Sequence, residues 1–177
     1  DGRVHINQDR NDYSITVYAP DGTLERTIKR SYQSYKRTAE EKKKAEESLM
    51  PWRRRNRQRF NFVVEPTEPD IASIHVTDAG QLWVLPSRGL RDQPEGVHST
   101  WDVFDITGHF EKTVAVQCEG VGLRDKLFFA GENMVVLVKQ YADAVKAFRG
   151  QNSEDDEAED EEMEVLPLEV ICYRIIN

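Results

Sequence analysis

The sequence predicts an all-β protein assembled from repeated units of four short antiparallel strands, and three observations carry that prediction. First, the stretch from Ile74 to Val114 reads as one whole unit: two apolar strands joined at Gly80, a loop, and two more joined at Gly108. Second, part of the unit recurs upstream without a gap. Ile15 to Ile28 (ITVYAPDGTLERTI) lies on Trp101 to Val114 (WDVFDITGHFEKTV), setting Val17 on Val103, Tyr18 on Phe104, Gly22 on Gly108 and Thr27 on Thr113. Third, Val170 to Asn177 (VICYRIIN) fits the same frame, with Tyr173 at the aromatic position and Asn177 at the turn. Asn is the natural substitute there, because a turn that needs positive φ takes Gly first and Asn second.

Taken in order, Gly2 to Ile6 (GRVHI) matches Gly80 to Val84 (GQLWV), so residue 1 falls at the turn between the first and second strands of a unit. Tyr13 to Tyr18 is the third strand, with Ile15 and Val17 on one face, and Leu24 to Lys29 returns as the fourth after the turn at Pro20, Asp21 and Gly22. Thr38 and Glu41 form a capping box ahead of a polar helix expected from Ala39 to Met50, ending near Pro51. Trp52 and the run Arg53, Arg54, Arg55, Arg57 and Arg59 follow, then a strand-like Phe60 to Val64. Glu65 to Asp70 (EPTEPD) reads as a loop, because Pro is excluded from inner strands and helix interiors. Pro86 to Gly96 is a second loop, rich in Pro and Gly.

The last unit opens at Lys126 to Phe129, turns near Gly131 to Asn133 and continues from Met134 to Lys139. Tyr141 to Phe148 is expected as a short helix, and Glu154 to Glu164 as acidic low complexity without enough apolar surface to order itself. This divides the chain into a partial unit at 1–30, a basic helical insertion at 31–64, a complete unit at 65–118, and a partial unit at 119–177 with an acidic loop at 151–165.

The net charge of −8 conceals two opposed fields. Basic residues concentrate between Arg26 and Arg59, and acidic ones between Glu154 and Glu164. The two segments are expected to attract loosely and in a salt-dependent way. An apolar content of 38% against 32% charged residues follows from these two polar insertions. No apolar run reaches the length of a membrane span. Cys118 and Cys172 lack metal-type spacing and are expected as two unpaired thiols, the alternative being a bridge between neighbouring units.

Consecutive four-stranded antiparallel units imply a β-propeller, in which each blade covers its inner face with the next. The pattern Asp-x-Gly-x-x-aromatic-Val (Asp78 to Val84), then aromatic-Asp-x-Phe-Asp-x-x-Gly-x-Phe (Trp101 to Phe110), resembles bacterial six-bladed β-propellers of the NHL and TolB-like kind. The resemblance covers most of the chain outside the two insertions, and rests on turn glycines and packing aromatics that specify architecture rather than activity. About two and a half blades are present, fewer than the four or so that close a ring. The resemblance therefore implies the C-terminal part of a larger propeller, completed by the same or another chain, in the periplasm, secreted or lipid-anchored.

For function, two classes compete. The first is a non-catalytic binding or scaffold propeller that engages a protein or small ligand at a loop face and needs no cofactor. Its candidate contacts are Trp52, Arg53, Arg54, Arg55 and Arg57, since Arg makes forked contacts to oxyanions and Trp adds a stacking surface. A nucleic-acid partner fits poorly with an acidic chain. The second class, implied by the resemblance, is a calcium-dependent hydrolase or lactonase with its site at the axial channel. Glu68, Asp70 and Asp125 would be its oxygen ligands, because they precede innermost strands and suit a hard cation. The four histidines have no ligand spacing, and Trp83, Trp101 and Phe104 are expected to pack between units.

Overall fold

The computed structural model describes residues 2–55, 63–91, 93–131, 133–148 and 167–175. Among the described residues, ten strands form three antiparallel sheets, accompanied by two α-helices and a 3-10 turn at Ser87–Leu90. The first sheet contains β1 (Val4–Ile6), β2 (Ser14–Tyr18) and β3 (Leu24–Lys29); the second contains β4 (Ile71–Val76), β5 (Leu82–Pro86), β6 (Val97–Phe104) and β7 (Phe110–Gln117). The third contains β8 (Lys126–Phe129), β9 (Met134–Val138) and β10 (Val170–Arg174). In each sheet the strands neighbour one another in chain order, although the connection from β9 to β10 is long and carries a helix.

The glycine turns set the register. Gly22 and Gly108 hold φ of 84° and 91°, the left-handed region that the repeat requires. Both close the same hydrogen-bonded loop: Ala19 N–H donates to Thr23 O while Gly22 N–H donates to Ala19 O, and Asp105, His109 and Gly108 repeat the pattern. This is the turn with a following left-handed residue that joins hairpins through a bulge, and the pairing shifts by one residue at Val17/Tyr18 and at Val103/Phe104. Asn177 lies outside the described residues.

The sheets stack in chain order through opposite faces of their strands. Tyr13, Ile15, Val17 and Ile28 of the first sheet bury against Ile71, Leu82, Val84 and Phe104 of the second. Alternation sends Trp83 and Trp101 to the other face of the second sheet, where Phe129 of the third meets both rings edge-on at 5.4 and 5.1 Å. The inner strands β5 and β6 are thus buried on both faces, which explains the near-continuous apolar run of β5.

Helix α1 (Ala39–Arg55) opens on the expected capping box, with Glu41 N–H donating to Thr38 Oγ1 at 3.2 Å and Thr38 N–H to Glu41 Oε2 at 2.8 Å. It runs through Pro51 instead of ending there. Proline removes one intrahelical donor, and the good helix formers on either side, Leu49 and Met50 before it and Arg53 to Arg55 after it, carry the helix on. Phe60 to Phe62 lie outside the described residues, and Val63 and Val64 are not in a strand. Helix α2 (Tyr141–Phe148) forms where expected, and Cys118 and Cys172 are free thiols.

Candidate functional site

The roots of the basic insertion are bolted together before α1 leaves the sheets. Arg37 N–H donates to Pro66 O at 2.9 Å, Glu68 N–H to Tyr35 O at 2.9 Å, and Lys36 bridges to Thr67. Two arginines reinforce this stem. Arg37 forks onto both carboxylate oxygens of Glu68 at 3.1 Å each, and Arg91, from the β5–β6 loop, reaches Glu68 at 2.9 Å and also pairs with Glu41. Arg91 lies 4.3 Å from the centre of the Tyr35 ring, whose hydroxyl donates to Glu41. The backbone N–H of Thr38, ahead of Arg91, holds Glu41 below the usual carboxylate range. Two guanidiniums and two carboxylates neutralise one another, so the cluster braces the insertion without leaving a net charge.

Beside this brace lies a cleft of about 400 Å³ at the end of the sheets where the β5–β6 and β7–β8 loops emerge. Tyr35, Glu41 and Arg91 form one wall, Leu90 and Val97 another, and the loop from Gly120 to Leu123 the far side. Glycine is obligatory in that loop. A Cβ on Gly120 would sit 2.7 Å from His98 Cδ2, and one on Gly122 would sit 2.5 Å from the His98 carbonyl oxygen. Close passage of the loop over His98 turns Val121 and Leu123 outward, leaving them 61% and 54% exposed on the rim.

His98 underlies the cleft and is only 2% exposed. Its Nδ1 lies 3.0 Å from Ser99 Oγ, which accepts the Trp101 indole N–H at 2.9 Å. One lone pair of Ser99 is thereby filled, so its hydroxyl proton is best used on Nδ1, leaving the ring proton on Nε2. Nε2 has no hydrogen-bond partner among the described residues, although the main chain and carboxylate of Asp125 lie near enough to favour protonation. Burial outweighs that attraction and lowers the His98 pKa. Ser99 is fully buried, so this serine and histidine form a packing element rather than a solvent-reached nucleophile and base.

The three carboxylates singled out in the sequence have three separate surroundings. Glu68 is consumed by Arg37 and Arg91. Asp125 organises the loop around it, with Oδ2 accepting Val121 N–H and Oδ1 accepting Gln140 N–H, each at 2.7 Å. Asp70, ahead of β4, is 2% exposed; its main chain bonds Arg10 O and Ser87 N–H, and its Oδ1 has no hydrogen-bond partner among the described residues. Among the described residues no group of three or more His, Cys, Asp or Glu gathers as a metal site.

Of the basic candidates, Trp52, Arg53, Arg54 and Arg55 form the last turn of α1, with side chains outside the described part, while Arg57 and Arg59 lie outside the described residues altogether. The acidic segment from Glu154 to Glu164 also lies outside them, and with it the expected association of the two insertions. The cleft residues Tyr35, Arg91, Val121 and Leu123 were not apparent from sequence. Their only signal was Gly120-x-Gly122 followed by Leu123, a flexible pair with apolar residues in a loop. No protein-family model, curated protein or solved structure matches the chain. No helix among the described residues is long and apolar enough to cross a membrane.

Proposed function

We propose that the chain is a non-catalytic binding or scaffold module built of β-propeller blades, acting in the bacterial cell envelope and completed to a ring by further blades. The observation that carries this reading is the cleft, whose charged wall is neutralised internally and whose rim exposes Val121 and Leu123. Satisfied charges suit recognition of a neutral group better than proton transfer, and exposed aliphatic residues beside a polar wall suit a peptide segment or small ligand with an apolar side chain. The architecture is supported by the recurring glycine turns and by sheets stacked in chain order.

A calcium-dependent hydrolase is kept as a second reading on one observation, the unpartnered Oδ1 of buried Asp70. Calcium titration by calorimetry, with a panel of lactone and ester substrates, tests between them. The binding reading predicts no stoichiometric calcium uptake and no turnover. Stoichiometric calcium, with hydrolysis lost in Asp70→Asn or Asp125→Asn, would overturn it.

A further inference from the structure

The two outermost sheets leave faces that are equivalents of faces already paired inside the molecule. On the third sheet, Leu137, Val135 and Phe129 face the second sheet. The pairs Phe128↔Val136↔Cys172 and Val138↔Val170 then occupy the opposite face. Phe128, Met134 and Val170 are exposed there, where Tyr141 of α2 meets Phe128 edge-to-face at 5.7 Å and Lys126 Nζ lies over both rings. The equivalent loop hydrogen bonds, Thr77 N–H to Gln81 O and Ala130 N–H to Met134 O, align Val136 with Trp83, so this face corresponds to the one that the second sheet gives to the third. On the first sheet, Ile15 and Val17 face the second sheet, and the register Val4↔Tyr18 and Ile6↔Thr16 puts Val4, Ile6 and Tyr18 on the other side. Val4 and Ile6 are exposed. They correspond to Leu82 and Val84, the residues through which the second sheet receives the first.

The geometry points to a second copy of this chain as the occupant of both faces. We infer that the free face of the third sheet receives the free face of the first sheet of another copy, head to tail, and that two copies close on each other. The inference rests on the blade reading above. Both halves of the contact are present on one chain, and they repeat interfaces the chain already makes. The three sheets formed by the described residues, taken twice, give a number within the four to eight blades that close a propeller. A contact between unlike faces closes only if the rotation returns on itself, and otherwise continues as a filament.

Sedimentation equilibrium of the chain, with Val4→Asp and Val170→Asp, tests this. Both side chains are more than half exposed, so neither substitution removes core packing within one copy. The expected result is a species of twice the 20.5 kDa chain mass, with dimer association weakened at least about tenfold by either variant and partly restored on mixing the two. A folded monomer at the highest soluble concentration overturns the inference, as does a dimer broken by Val170→Asp but untouched by Val4→Asp, which would pair like faces. Solution scattering keeps the two readings apart. A dimer that needs both faces but lacks a central hole supports the contact and removes the ring, while a folded monomer removes the contact and leaves the binding reading to the calcium titration.

Discussion

The interface between the first and second sheets and the interface between the second and third do the same structural task with different chemistry. The first is mainly aliphatic, with the Tyr13 and Phe104 rings among the aliphatic side chains, and carries a buried polar lock. Tyr13 O–H donates to Asp102 Oδ2 at 2.8 Å, Thr113 Oγ1 donates to Asp102 Oδ1 at 3.1 Å, and Arg30 pairs with the same carboxylate while lying 4.2 Å from the centre of the Phe110 ring. The second interface is aromatic: Phe129 meets Trp83 and Trp101 edge-on and stacks on His75 at 4.2 Å. A polar lock demands one alignment, since every misplaced register strands a buried charge, whereas aromatic packing tolerates small slides at modest cost. The first interface should therefore be the more brittle.

Removing the hub of the polar lock is the strongest way to break that contrast. Asp102→Ala leaves Tyr13 O–H and Thr113 without an acceptor and Arg30 without its partner, and chemical denaturation should report a loss of roughly 3 kcal/mol. On the aromatic side, Phe129→Ala should cost about 2 kcal/mol, because the half-buried ring makes packing contacts but no hydrogen bond that must be replaced. A larger loss for Phe129→Ala than for Asp102→Ala would reverse the ranking.

A sharper comparison uses the two repeat-equivalent glycines. Gly22 and Gly108 share a left-handed φ, but a Cβ at Gly22 meets nothing within 4 Å, whereas one at Gly108 would sit 2.8 Å from Ile28 Cγ1 across the first interface. Gly22→Ala should cost about 1 kcal/mol from backbone strain alone, and Gly108→Ala about 2 kcal/mol from strain plus displacement of Ile28. Equal losses would mean that Ile28 moves aside freely. The smallest expected effect is alkaline. Burial, reinforced by the Asp102 charge, raises the Tyr13 pKa, so the folded state keeps a proton that the unfolded chain releases above pH of about 10. Stability should then fall more steeply above that pH than in Tyr13→Phe, as urea midpoints across the alkaline range will show.

These regions also differ in how far the sequence foretold them. Turn glycines and strand alternation are local properties, so Gly22, Gly108 and the faces of β2 and β6 were readable from spacing. The capping box at Thr38 and Glu41 was equally local. What joins distant segments was not: Tyr13 lies 89 residues from Asp102, and Arg91 lies 50 from Glu41. Neither pair has a motif, because a lone Tyr or Arg is ordinary until the fold supplies its partner. Pro51 was misread for the opposite reason, a strong local rule overridden by the helix around it. The carboxylates Glu68, Asp70 and Asp125 were visible as residues, but only the fold shows that they face separate partners.

The stacking of consecutive sheets through equivalent faces is the claim on which the rest depends, and a double-mutant cycle between Tyr13 and Asp102 tests it most directly. Tyr13→Phe, Asp102→Asn and the double variant alter a hydrogen bond that exists only if the first sheet lies against the second. The account predicts a coupling energy above about 1 kcal/mol from the four urea unfolding curves. Additive losses, with no coupling beyond experimental error, would contradict it.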